Sequence, residues 1–222
     1  MCLTPYKALA QSQNTGMLAF VENSHPLSGI PNIREWLRDK NPDEASFNRA
    51  VETFVKSCAG YSVITYILGI GDRHLDNVML THRGALVHID FGFILGRTPK
   101  PLTAPIRLTG EMINAMGGEG SDNFTQFKQL ACEAYNIVRK ASPLILNMFV
   151  LLLNANIHDI SVWKSDRFSE DLGNIPKLEE AFRLDLSNEE AVQEMQRLIQ
   201  VSSRAVMQEF WERTHKIAVY FK

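Results

Sequence analysis

The 222-residue chain is 45% hydrophobic and 22% charged, with a formal net charge of -2, values typical of an ordinary globular domain or lobe. That balance excludes a general electrostatic pull toward nucleic acid or an anionic membrane, so any such attraction must come from a local patch. Cys2, Cys58 and Cys132 are too few and too odd in number for a disulfide framework, which favours a reducing, cytoplasmic setting. The opening MCLTPYKALA lacks the apolar core of a signal peptide.

In chain order, LTPYKALA (3–10) and GMLAFV (16–21) read as two short strands joined by the polar turn from Gln11 to Gly16. A two-stranded hairpin is marginal in water, which predicts that further strands of its sheet are missing here. Asn32 to Lys40 predicts a short helix with Ile33, Trp36 and Leu37 on one face, broken by Asn41-Pro42-Asp43. Ser46 to Ile70 has helical spacing and turns apolar all round in its second half, which predicts a central core helix. Val78–Thr81 and Ala85–Ile89 form a second hairpin around His82-Arg83-Gly84.

From Asp90 to about Gly110 the chain is irregular and carries Pro99, Pro101 and Pro105. Helices are expected over Asn123–Lys140 and Ser142–Asn154, around Lys177–Phe182, and from Asn188 to the end. Ser187-Asn188-Glu189-Glu190 provides a capping box for the last of these. The apolar run Leu144–Leu153 contains Asn147 and is about half of the ~20 residues that span a bilayer, so a buried core helix is expected there. The predicted class is α+β and mainly helical. No repeat or low-complexity segment interrupts it.

The chemistry concentrates around the second hairpin. Centring its turn between Arg83 and Gly84 places Asn77 opposite Asp90, where paired Cα atoms stand roughly 4.5–5.5 Å apart. One neutral and one charged oxygen ligand suit Mg²⁺, which keeps other positions for water or phosphate. Gly71-Asp72-Arg73-His74 precedes this pair and Asp90-Phe91-Gly92 ends it. Catalytic-loop asparagine and D-F-G aspartate are the metal-holding pair of kinases.

The order Asp72-Arg73-His74, in place of H-R-D, resembles the phosphoinositide 3- and 4-kinases and the large protein kinases related to them. With LTPYKALA, FVKSCAGYSVITYILGIGDRHLDN, HIDFGFILGRTPKPL and FRLDLSNEEAV, the resemblance narrows to the class III phosphatidylinositol 3-kinases and extends over essentially all 222 residues. It implies the large lobe of a protein-kinase-like fold over 25–222, with a residual small-lobe hairpin and inter-lobe linker over 1–24. Within the large lobe it implies a catalytic loop at 69–77, an activation loop at 88–109 and an amphipathic terminal helix at about 204–222. The implied activity is ATP-dependent phosphorylation of the inositol 3-hydroxyl of phosphatidylinositol, with Mg²⁺ or Mn²⁺, in endosomal trafficking and autophagy. It also implies a regulatory protein-kinase-like subunit and endosomal or autophagy adaptors as partners, no nucleic acid, and a peripheral position on those membranes.

Residue by residue, the resemblance makes His74 the general base, Asp72 the group that orients His74 or the incoming hydroxyl, and Asn77 and Asp90 the metal ligands. Arg73 is expected to brace the loop. The backbone of Ala19, Phe20 and Val21 would hold adenine over a floor of Met79 and Ile89. His82 to Gly110 carries four cations against the single acid Asp90, a net +3, with Arg97 and Lys100 expected at the headgroup. This sparse pair suits a headgroup whose only phosphate is the diester. Trp211, Ile217 and Phe221 are expected at the membrane. The family's phosphate-binding loop and ATP lysine precede the matched region, and Lys7 does not match that lysine, so negligible turnover is expected from these 222 residues alone. Two rival expectations are a non-catalytic interaction module and a protein kinase of the related large family.

Overall fold

The structure is a computed structural model that describes residues 2–12, 15–99, 104–153, 155, 160 and 175–220, with backbone alone for 205–220. Its strands are β1 Ala8–Ala10, β2 Gly16–Leu18, β3 Ser24–Pro26, β4 Val78–Thr81 and β5 Leu86–His88. Its helices are α1 Ile33–Lys40, α2 Glu44–Ile67, α3 Gly110–Ala115, α4 Asp122–Lys140, α5 Ser142–Leu152, α6 Ile175–Phe182 and α7 Asn188–Tyr220. The α+β, mainly helical class is as expected. Two elements were not: β3, which adds a third strand in the order β3-β4-β5, and α3. The residues group into two compact units, with boundaries inside α2 and α4.

The first unit comprises residues 1–61, 74–89 and 111–127. β1 and β2 pair antiparallel, Ala8 with Leu18 and Ala10 with Gly16, over a shorter stretch than the sequence predicts. α1 starts where the Asn32 side chain accepts a hydrogen bond from Glu35 N at 3.1 Å. α2 starts two residues earlier than predicted because Asp43 caps it, its Oδ1 accepting from Ser46 N at 2.9 Å. Leu37, Phe54, Val55 and Leu80 are fully enclosed. The Ser57 hydroxyl, also buried, accepts from Leu86 N at 2.9 Å and so ties α2 to β5.

The hairpin register differs from the expected one. Val78 pairs with His88 and Leu80 with Leu86, and Ile89 N donates to Asn77 O at 3.0 Å. Asn77 therefore faces Ile89, not Asp90. The loop has three residues: Gly84 N donates to Thr81 O, Thr81 N donates to Ala85 O, and Gly84 is left-handed at φ +86. A three-residue loop has its centre on its middle residue, Arg83, not between two residues.

The second unit comprises residues 62–73, 90–110 and 128–222. The end of α2 is buried, as its apolar surround predicts, with Val63 and Ile67 enclosed. The Tyr66 ring meets Tyr135 edge-on at 5.9 Å, and Tyr135 OH donates to Ala181 O at 2.7 Å. Buried Arg139 donates to the carbonyls of Phe182, Arg183 and Leu186, which satisfies orphan acceptors at the end of α6 with a cation. The capping box at α7 is reciprocal: Glu190 N donates to Ser187 Oγ and Ser187 N to Glu190 Oε2.

The apolar run does not form a buried helix. In α5, Leu144, Met148, Val150 and Leu151 are exposed, Leu151 by 78%. Hydrophobicity all round a helix reports what could be covered, and among the described residues most of this face is not.

Candidate active site

His74, Asn77, Met79 and Ile89 lie in the first unit, together with Ala19, Phe20 and Val21. His74 precedes a 3-10 turn, Leu75–Asn77, whose last residue donates its N–H to His74 O at 3.0 Å. Asn77 is 7% exposed. Directly paired residues share a face of a sheet. The observed register therefore places Asn77, Met79, Val87 and Ile89 on one face and Val78, Leu80, Leu86 and His88 on the other. The second face is covered throughout, with His88 stacked on Tyr61 at 4.8 Å, and on the first face Asn77 and Val87 are also buried. On the first face Met79 and Ile89 are half-buried, the condition for an apolar floor that a planar ring can still reach. Asn77 shares that face with them.

Two residues near His74 were not picked out from the sequence. The Asp76 carboxylate stands 3.7 Å from His74 Nδ1 through Oδ2, and its Oδ1 accepts a hydrogen bond from Ser28 Oγ. Asp76 is thus an acidic neighbour of the imidazole within the motif, beside the Asp72 that the resemblance assigned to orienting it. The acid directly before Asn77 was the available signal; Ser28, 48 residues away in sequence, gave none. Ahead of this region, Ala19 N donates to Lys7 O at 2.8 Å, Val21 O accepts from Ser24 Oγ at 2.6 Å, and Phe20 is exposed. The three linker residues follow β2 as an extended segment leading into β3.

The second unit holds Asp72, Arg73, Asp90 and Arg97. Both acids have left-handed backbones, φ 52 at Asp72 and φ 58 at Asp90. Such conformations are costly for L-residues and tend to be kept where the surroundings enforce them. Asp90 Oδ1 accepts from Gly92 N at 3.0 Å, and the side chain is exposed. The segment after Asp90 lies along the loop before Asp72: Gly71 N donates to Phe93 O, Leu95 N to Leu68 O and Gly96 N to Gly69 O. Approach here is so close that a Cβ on Gly71 would sit 2.2 Å from Arg97 O. The Arg97 guanidinium lies 5.9 Å from the Phe93 ring centroid.

Lys100 and Phe221 lie outside the described residues, as do the side chains of Trp211 and Ile217, whose backbone belongs to α7. A cavity of about 450 Å³ bordered by Pro176, Glu179, Glu180, Arg183, Leu184 and Asp185 involves none of the expected site residues. Among the described residues, no cluster of three or more His, Cys, Asp or Glu side chains is arranged to hold a metal. The Asn77 amide and the Asp90 carboxylate are oxygen donors of the right chemistry.

Comparison with known proteins places these features in a family. Residues 30–162 match the family described as phosphatidylinositol 3- and 4-kinase. The chain is 48% identical over 227 residues to the root isoform of phosphatidylinositol 3-kinase from Glycine max, covering 99% of this chain and 27% of that protein. Similarity to phosphatidylinositol 3-kinase VPS34 of Arabidopsis thaliana is also 48%, over 100% of this chain and 27% of the relative. For the VPS34 protein of Saccharomyces cerevisiae it is 39%, over 99% and 25%. The chain spans about a quarter of the length of the curated relatives it matches.

Proposed function

The chain belongs to the phosphatidylinositol 3- and 4-kinase family, and from that premise we propose that it carries the catalytic and activation loops of a phosphatidylinositol 3-kinase. The enzyme containing it transfers the γ-phosphoryl group of ATP to the 3-hydroxyl of phosphatidylinositol, giving phosphatidylinositol 3-phosphate. Its setting is the cytoplasmic face of endosomal and autophagic membranes, with a protein-kinase-like regulatory subunit and adaptors as partners. The observation that carries the proposal is the G-D-R-H-x-x-N segment with its D-F-G triplet, in relatives whose names specify a phosphatidylinositol 3-kinase. Among the described residues no helix is long and apolar enough to cross a membrane.

In this scheme His74 takes the proton of the inositol hydroxyl at Nε2, with Nδ1 turned to Asp76 Oδ2. Asp72 helps to orient the imidazole or the hydroxyl. Asn77 and Asp90 would hold Mg²⁺ or Mn²⁺, which would offset the charge of the nucleotide phosphates. The backbone of Ala19, Phe20 and Val21 receives adenine above Met79 and Ile89. Arg97 and Lys100 attract the diester phosphate, and Trp211, Ile217 and Phe221 seat the terminal helix in the lipid interface.

The test is transfer of labelled phosphate to phosphatidylinositol vesicles by the full-length enzyme, followed by analysis of the headgroup. Label at the 3-position is expected. Asp90→Ala should abolish transfer with thermal unfolding unchanged, and His74→Gln should slow it by about 10²–10⁴-fold. Full activity of Asp90→Ala, or label confined to other hydroxyls, would sink the assignment.

A further inference from the structure

Arg73 stands between the two residues of the motif to which chemistry is assigned, and its contacts in the second unit are specific. Its Nε donates to Gly71 O at 2.8 Å, and its Nη2 donates to Asp90 O. Its guanidinium carbon stands 5.7 Å from the centroid of the Phe91 ring. Two donors at fixed angles and a flat cationic face are properties of guanidinium that an ammonium does not share. The group therefore reads a geometry, not merely a charge.

What it grips is the peptide of a strained residue. Asp90 is left-handed, φ 58, a backbone uncommon for residues with a side chain, which aspartate adopts more readily than most and which local hydrogen bonds favour. Two contacts hold it: Arg73 on its carbonyl oxygen, and Gly92 N on its own Oδ1 at 3.0 Å. Arg73 meets Asp90 at its main-chain carbonyl, so the guanidinium bears on the peptide that sets the direction of the side chain. Around this clasp, Gly71 N is bonded to Phe93 O, and the absence of a side chain on Gly71 lets Arg97 O approach. Arg73 is thus anchored at one end by the loop before it and at the other by the residue whose direction matters.

We propose that Arg73 is a positioning residue for the divalent cation: by clasping the carbonyl of Asp90 it holds the left-handed peptide that presents the Asp90 carboxylate, and it touches neither cation nor substrate. The proposal rests on Asp90 being a metal ligand, as put forward above. Loss of the clasp lets Asp90 relax toward ordinary backbone and turns its carboxylate. The fold, held by cores elsewhere, remains.

The experiment measures Mn²⁺ binding to the full-length enzyme in the presence of ADP, by loss of the free-ion signal in electron paramagnetic resonance. Wild type is compared with Arg73→Ala, Arg73→Lys and Asp90→Asn, with thermal unfolding followed in parallel. Arg73→Ala and Arg73→Lys are expected to weaken Mn²⁺ by tenfold or more at unchanged unfolding temperature. Millimolar methylguanidine is expected to restore binding to Arg73→Ala and not to Asp90→Asn. If Asp90→Asn loses Mn²⁺ while both Arg73 variants stay within twofold of wild type, the positioning role is overturned and the ligand role stands. If Asp90→Asn binds Mn²⁺ as wild type does, the ligand role fails and the positioning role falls with it. Should Arg73→Ala unfold, Arg73→Lys decides, since it keeps the charge and chain length and removes only the two-point grip.

Discussion

Gly84 is the position where a single methyl group has the largest consequence for the hairpin that carries Asn77. Its φ of +86 lies where L-residues are rare, and a Cβ there would stand 2.0 Å from the carbonyl oxygen of Ala50 in α2. Both costs fall on backbone, which cannot rotate away as a flexible side chain can. Gly84→Ala is expected to destabilise the protein by at least about 2 kcal/mol, read as a lower urea midpoint with an unchanged slope. A loss under about 0.5 kcal/mol would mean that the turn and α2 are not in firm contact. The two left-handed aspartates, by contrast, carry strain at groups assigned to chemistry. There the backbone serves carboxylate direction, where at Gly84 it serves packing.

At the scale of elements, one loop residue decides which groups share a face. With three residues in the β4–β5 loop, Asn77 pairs with Ile89 and shares a face with Met79 and Val87. A one-residue slip would exchange the two faces and send His88 away from Tyr61. α5 teaches the opposite lesson: its apolar character marks no particular face, and Leu144 and Leu151 stand in the open at 65% and 78% exposure. Leu144→Gln with Leu151→Gln is therefore expected to change stability by less than about 0.5 kcal/mol per site, whereas a core helix would lose several times that. A drop in unfolding midpoint of core-like size would show that these side chains are covered in solution.

For the whole molecule, acidification is the relevant stress, because its shifted carboxylates move in one direction. The Glu194 carboxyl is held below the usual range by the hydrogen bond from Arg197, then by the charges of Arg197 and Arg183, against the opposing effect of burial. Asp43 is lowered by the Ser46 hydroxyl and N–H, and Glu190 by Ser187. A carboxylate whose pKa is lower in the folded state binds protons more readily when unfolded. Its stabilising contribution is complete above the ordinary range near pH 4 and is lost as pH falls through the lower folded value. Glu194→Gln should thus cost about 0.5 kcal/mol between pH 6 and 8, and the difference from wild type should fade as acidification carries Glu194 through its lowered folded value. A difference that persisted below that value would mean that Glu194 acts through packing, not charge.

The sequence by itself determined whatever depends on residue type and local spacing. The helix class, the cap at Ser187 and the encircled core of α2 were legible, as were D-R-H, Asn77 and D-F-G as motifs, since each needs only neighbours within a few positions. Tertiary structure decided what depends on distant partners. β3 forms because Ser24–Pro26 finds β4, and Ser28 reaches Asp76 from 48 residues away. Among the described residues α5 is exposed on Leu144, Met148 and Leu151, and the register falls where Gly84 can meet Ala50. Spacing records what a segment can do; only a partner brought from elsewhere in the chain settles which of those things it does.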